Sequence, residues 1–321
     1  MDWSRIKRKK ARADKPPGVY ANLDDLIRIQ FKARNFSFLP HQQVKSILSG
    51  RYASRLRGRG LNFEEIRRYL PGDDIRTMDW KVTARTRSPH VRVYTEEKDR
   101  AVVLLVDQRI NMFFGTRDKL KSVSAAQLAA LGAWRAVGVG DRIGAVVFND
   151  TEIIDIPPQR SQKTVMEILG AVVQMNHALH ADTQTEPSPG MLNRALEKAL
   201  QLVPHDALVV MISDYFGVDE QTEQLTARMA EHNDVLALLV HDPIRLRPAE
   251  QQVTVSDGLL QMEIDFADER VREKLTQNYY EEQQNITHFL NRLAAPLLMV
   301  SNEGDIVDQV KRLLGVSGRV N

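Results

Sequence analysis

The chain has no cysteine. That excludes disulfides, cysteine-ligated zinc and thiol nucleophiles together, and it suits a reducing cytoplasm. No apolar run approaches the roughly 20 residues that a membrane helix needs. Met1-Asp2-Trp3-Ser4 leads into Lys7-Arg8-Lys9-Lys10 with no apolar segment behind it, so the start is not read as a secretory signal. Net charge is nearly absent: 44 Lys and Arg stand against 42 Asp and Glu, which leaves +2 and little whole-molecule field to choose a partner. No glycine-rich phosphate loop precedes a Lys-Ser or Lys-Thr pair. Gly138-Val139-Gly140-Asp141 is too short for a dinucleotide fingerprint and leads into a strand instead of a helix. Spacing picks out no Ser-His-Asp set. His177 and His180 are three apart without an evident third ligand, and read as solvated histidines at a helix end.

What is present is enough apolar material, 43% of 321 residues, for one large α/β domain and a smaller element. Residues 1–20 form a basic arm, in which residues 5–15 hold Arg5, Lys7, Arg8, Lys9, Lys10, Arg12 and Lys15 against Asp14 alone. A disordered, solubilising tail is the plain reading, and contact with RNA or anionic lipid is the alternative. A helix is expected over Asn22 to Ala33 and a second short one after Pro40. From Ala101 the pattern changes to apolar runs of strand length that alternate with helical periods. The strands are expected at Ala101 to Val106, Asp141 to Phe148, Thr151 to Ile156, Ala207 to Ser213, Val235 to Val240 and Pro296 to Val300. A small hairpin is expected around Asp257-Gly258. Alternation of this kind implies a doubly wound, mostly parallel sheet with helices on both faces. Ligands of such sheets sit at the carboxyl ends of the strands, and two of the runs end in acids, Asp107 and Asp214. Trp134 and the pair Tyr279-Tyr280 read as packing residues.

The densest stretch is Gly60 to Glu97, where Arg67, Arg68, Arg76, Arg85, Arg87 and Arg92 interleave with acids and with Phe63, Tyr69, Trp80 and Tyr94. A core would not accept those arginines unpaired, so a semi-buried polar network is expected. Asn62 and Glu65 resemble a capping box, and Phe63, Ile66 and Leu70 fall on one helical face, which predicts a first helix that ends at Pro71-Gly72. Asp73 or Asp74 is expected to cap a second helix, with Arg76 paired to Asp79. Val91, Val93 and Thr95 alternate with polar residues as in a strand.

The ordered string G-x-x-F-x-x-x-R-x-Y-x-P-G-D-D-x-R-x-x-D-W-x-x-x-A-R runs through Gly60, Phe63, Arg67, Tyr69, Pro71, Gly72, Asp73, Asp74, Arg76, Asp79, Trp80, Ala84 and Arg85. It resembles the signature of the bacterial domain-of-unknown-function family numbered 58, in which it precedes a von Willebrand factor A-like (vWA-like) domain. The resemblance implies an N-terminal extension over 21–98 that carries the signature, and a vWA-like domain over 99–316. Many relatives have N-terminal membrane helices, which this chain resembles a soluble variant of.

In metal-binding vWA domains a D-x-S-x-S motif after the first strand holds Mg²⁺ with a Thr and an Asp from later loops, because a small hard cation needs oxygen ligands. Here the motif reads Asp107-Gln108-Arg109-Ile110-Asn111, with Asp214 at the later Asp position. The Thr slot falls at Gly190, and Thr183 and Thr185 lie further back. No metal is therefore assigned, although Asp107, Arg109, Asn111 and Asp214 remain the candidate binding positions. Arg109 is expected to replace the ion by bridging Asp107 and Asp214; the rival expectation leaves it pointing to solvent.

Three functions follow. The first is a non-catalytic interaction module: the resemblance implies an adaptor or co-chaperone of a MoxR-type AAA+ ATPase, without cofactor. The second is a metal-dependent hydrolase with Asp107, Asp214 and Asp73 or Asp74 as ligands. The third is nucleic-acid binding through the basic arm and the arginines of the signature.

Overall fold

The structure is a computed structural model. It describes residues 18–33, 61–96, 100–180, 186–203, 205–245, 252–256, 261–265 and 268–314. The chain divides into two compact units, one of residues 1–49 with 101–321 and one of residues 50–100.

The larger unit is built on a six-stranded sheet. Its strands are β3 (Ala101–Asp107), β4 (Arg142–Phe148), β5 (Ile153–Gln159), β6 (Ala207–Ser213), β7 (Asp234–His241) and β10 (Leu297–Ser301), in the order β10-β7-β6-β3-β4-β5. All neighbours run parallel except β5, which turns back antiparallel on β4 through Asn149-Asp150. This is the expected doubly wound, mostly parallel sheet. A near-continuous apolar strand must be buried on both faces. In β3, Val102, Leu104 and Val106 enter one core while Ala101, Val103 and Leu105 enter the other. The first core is closed by α1 (Leu23–Ala33), α3 (Lys121–Gly138), α4 (Gln162–Ala178) and α8 (Ile306–Leu313). The second is closed by α5 (Met191–Leu202), α6 (Glu220–His232) and α7 (Glu269–Arg292). Each fully buried Leu or Ile in these layers contributes about 1.5–3 kcal/mol.

The edge strand β5 carries Pro157 and Pro158, which have no N–H for a ladder and so belong at an edge. They bulge against Gly144, where an added Cβ would meet the carbonyl oxygen of Ile156 at 2.6 Å and the nitrogen of Pro158 at 2.8 Å. Both are backbone atoms and cannot swing away. Gly144→Val is therefore expected to lower stability by about 1–3 kcal/mol, seen as a fall in the thermal midpoint; an unchanged midpoint would show that β5 shifts freely.

Trp134 donates Nε1–H to the carbonyl of Leu26 at 3.1 Å, and Lys32 pairs with Asp305 at 2.6 Å. Thus α1, which the sequence reading places in the extension, packs in the sheet unit. The expected boundary at 98–99 lies beside the division after Arg100. A separate hairpin pairs β8 (Gln252–Ser256) with β9 (Gln261–Asp265), and its turn at Asp257-Gly258 lies outside the described residues. The basic arm up to residue 17, the helix expected after Pro40, and Thr183 and Thr185 lie outside them too. Tyr279 is buried as expected, but Tyr280 is exposed.

The smaller unit corrects the helical reading of the signature. Leu61 to Arg68 is a strand, β1, paired antiparallel with β2 (His90–Glu96). The register slips between Phe63 and Glu65, so an extra residue breaks the two-residue alternation and leaves a spacing that mimics a helical face. Pairing with β2 supplies a backbone ladder, whereas an isolated helix of about two turns is marginal in water. The second helix starts later than expected. Asp74 caps only a 3₁₀ turn, Ile75–Thr77, and Asp79 caps α2 (Trp80–Thr86) by accepting from the N–H groups of Lys81 and Val82, each at 3.0 Å.

Candidate functional site

In the sheet order β6 lies beside β3, while the chain leaves β3 first toward β4 and β5. The carboxyl ends of β3 and β6 therefore flank the point where the winding reverses, the crevice that such sheets offer to ligands. Asp107 ends β3, and Ser213 and Asp214 end β6. Asp107 and Arg109 are fully buried.

Arg109 is the centre of this crevice. Its Nη2 and Nε donate to Asp107 at 2.7 Å and 3.1 Å, and its own backbone N–H caps the same carboxylate at 2.9 Å. Nη2 also donates to the Phe216 carbonyl at 3.1 Å, and Nη1 donates to the carbonyls of Ser188 and Pro189 at 3.5 Å and 3.4 Å. The guanidinium carbon lies 5.6 Å from the centre of the Phe148 ring, at the end of β4. One side chain thus joins the loop after β3, the end of β4, the loop after β6 and the segment that enters α5 at Gly190. Burial works against its charge most strongly, but the field and hydrogen bonds of Asp107 together with the fields of Asp214 and Asp150 outweigh it and hold the proton more firmly than usual.

The expected bridge to Asp214 is corrected. Asp214 has its own cation, Lys121 Nζ at 2.6 Å, and accepts from Asn111 Nδ2 at 2.7 Å and the Phe216 N–H at 3.0 Å. Burial alone would raise its pKa; Lys121, Asn111 and Phe216 together pull it below the ordinary value. Two cations thus serve the two acids, and Ser213 donates its hydroxyl to Asp107 at 2.7 Å and accepts from the Tyr215 N–H. Tyr215 itself sits in the left-handed region at φ 59°. The solvent-facing alternative for Arg109 is overturned as well, since no part of its side chain is exposed.

The oxygen set does not fit Mg²⁺. Both oxygens of Asp107 face Arg109, Asp214 faces Lys121, and the third loop offers carbonyls that already accept from Arg109. Among the described residues no three His, Asp or Glu side chains converge as a metal centre. The hydrolase reading needed Asp107, Asp214 and Asp73 or Asp74 free. Asp73 is held bidentately by Arg67, at 2.8 Å to each oxygen, and by the Leu70 N–H, which lowers its pKa; Asp74 caps the 3₁₀ turn.

Sequence reasoning missed three participants. Asp150, in the turn between β4 and β5, accepts from the N–H groups of Ile110 and Ser188 at 2.6 Å and 2.9 Å and fastens the same loops. Lys121 opens α3 with no acid in the first turn, an unfavourable place for a cation unless something tertiary pairs it, and that oddity was the available signal. Asp242 follows the buried strand β7 just as Asp214 follows β6. It binds the N–H and hydroxyl of Thr116 at 2.8 Å and Asn302 Nδ2 at 2.8 Å, tying the loop after β3 to the end of β10. Of the two histidines, His180 is exposed past the helix end as expected, with its Nδ1 3.2 Å from the Tyr20 hydroxyl, while His177 is half-buried and its Nε2 meets the Ala21 carbonyl at 2.8 Å beside the start of α1.

In the smaller unit the signature residues separate into two groups. Arg67 with Asp73, and Asp79 with Arg92 at 2.8 Å, lock its turns; capping by the Val82 N–H and the Arg92 contact hold Asp79 below its ordinary pKa. Tyr69 is half-buried and ties its backbone N–H to Pro89. The expected Arg76–Asp79 pair gives way to Arg92. Arg76, Trp80 and Arg85 are exposed.

A family model described as "Protein of unknown function DUF58" matches residues 65–285, which takes in most of the signature and most of the sheet. The chain belongs to the DUF58 family. Uncharacterized proteins of Mycobacterium tuberculosis and Mycobacterium bovis are each 26% identical over 304 residues, covering 93% of this chain and 93% of theirs. Among solved structures, the conserved hypothetical protein BatB from Bacteroides thetaiotaomicron aligns with a TM-score of 0.40 and 12% identity, over 68% of this chain and 98% of its own. A von Willebrand factor type A protein from Catenulispora acidiphila aligns with a TM-score of 0.32 and 8% identity, over 71% and 43%. Among the described residues no helix is long and apolar enough to cross a membrane.

Proposed function

We propose that this DUF58 protein is a non-catalytic adaptor or co-chaperone that works in the cytoplasm with a MoxR-type AAA+ ATPase, its sheet-end crevice serving as a metal-independent docking platform. The observation that carries the reading is Arg109: fully buried, paired with Asp107 and bonded to the carbonyls of three residues on two other loops. A site meant for chemistry keeps a nucleophile, a base or a metal ligand free. This one spends its carboxylates on internal cations and gains rigidity, which favours recognition because little ordering entropy is lost on binding. Phe216, about half exposed, stands on the loop that Arg109 and Asp214 brace and offers an apolar contact.

The test uses the purified full chain and a purified MoxR-type ATPase from the same organism. The two are expected to co-elute, and ATP turnover by the ATPase is expected to change when the protein is added, with or without a chelator. Absence of both effects would refute the partnership. ATP turnover by this protein alone, abolished by Asp214→Asn, would refute the non-catalytic reading.

A further inference from the structure

The smaller unit exposes an unusual amount of apolar surface. Leu70 is 59% exposed, Ile75 63% and Trp80 67%, with Ile66 at 36%, all within one short stretch. Among its described side chains only Val91 and Asp79 are buried. Scattered exposed aliphatics are ordinary, but several large ones with a Trp in a row mark an interaction surface. Trp80 makes no hydrogen bond or ring contact among the described residues, and it opens α2 outward with Lys81, Ala84 and Arg85 on the exposed side.

The charges beside it are cationic and uncommitted. Arg67 and Arg92 are neutralised by Asp73 and Asp79. Arg76, Lys81 and Arg85 form no ion pair among the described residues, and α2, Trp80–Thr86, contains no acid to answer them. The bidentate Arg67–Asp73 pair and the Asp79 cap hold the turns on either side of Ile75 and Arg76, so the surface is preorganised.

We propose that Trp80, with Leu70 and Ile75 and the cations Arg76, Lys81 and Arg85, docks an acidic amphipathic segment of a partner protein. The indole is the apolar anchor and the three cations pair with the segment's carboxylates. Exposed aliphatic side chains select a partner that itself carries apolar residues. Nucleic acid would use the cations and the indole but leave Leu70 and Ile75 with nothing to bury. The proposal does not depend on the ATPase partnership, since the probe below contains no ATPase.

The experiment is fluorescence anisotropy with the full chain and a labelled, helical Leu/Glu amphipathic peptide, beside its Leu/Lys counterpart and labelled oligo-dT. The Leu/Glu peptide is expected to bind, and to weaken about tenfold or more with Trp80→Ala or with Arg76→Glu combined with Arg85→Glu. Trp80→Phe should keep most of the binding. All these side chains are exposed, and unchanged circular dichroism will confirm that the variants fold. Equal binding of the two peptides, or indifference to Trp80→Ala, overturns the proposal. So does tighter Trp80-dependent binding of oligo-dT, which would make the occupant a nucleic acid. Self-association of the chain that disappears in Trp80→Ala also overturns it, because the occupant would be a second copy.

Discussion

Replacing Arg109 with alanine is expected to destabilise the protein by about 3–5 kcal/mol, the usual cost of leaving one member of a buried ion pair alone. Asp107 is wholly buried, and its remaining partners would be the Ser213 hydroxyl and the backbone N–H of residue 109. The carbonyls of Ser188, Pro189 and Phe216 would lose their shared donor. Arg109→Lys should recover little, because one ammonium cannot grip Asp107 with two nitrogens and still reach two other loops. Neither Mg²⁺ nor a chelator should move the midpoint of the wild-type protein. Arg109→Ser with Asn111→Ser should stay indifferent to Mg²⁺ as well, since Lys121 still occupies Asp214. Thermal or urea unfolding measures all of these; a Lys variant as stable as wild type would show that only charge matters at this position.

Lys121→Met should cost about 3 kcal/mol at neutral pH, with a characteristic pH dependence. In the wild type the folded pKa of Asp214 lies below the ordinary 3.8. Its contribution to stability is therefore fully present above that value and is lost as pH falls through the lower, folded one. Without Lys121, burial becomes the dominant influence and the folded pKa should rise above 3.8. The deficit of Lys121→Met should then be largest at neutral pH and shrink as acid protonates Asp214. Adding Asp214→Asn to Lys121→Met should restore stability at neutral pH, since no unpaired charge is left buried. Midpoints measured from neutral to acidic pH test this. Equal, pH-independent losses in the single and double variants would mean that Lys121 acts by packing alone.

Much of the sheet was legible in the linear chain. β3, β4, β6 and β7 are apolar runs of strand length ended by turn residues or acids, and helices such as Met191–Leu202 show an unmistakable amphipathic period. Hydrophobic periodicity is a local property, so it survives reading without coordinates. The acids at the ends of β3 and β6 were also visible, as was the cation that displaces a hydroxyl at residue 109. The signature misled because its strand carries a bulge: β1 forms only when β2, more than twenty residues later, supplies the ladder, and a local capping pattern says nothing about that distant partner.

The chain itself settled the composition of the crevice, the loss of the oxygen ligands and the burial pattern of the strands, because each depends on residue identity at short range. Tertiary structure alone decided which cation answers which acid. Arg109 stays with Asp107, two residues away, while Lys121 and Asn111 take Asp214 from about a hundred residues along the chain. Charge pairing depends on distances of a few ångströms between side chains, and those are set by how strands wind about the reversal between β3 and β6. The same applies to Trp80, whose identity is plain in the chain but whose exposure depends on Asp79 turning to Arg92 and α2 starting where it does.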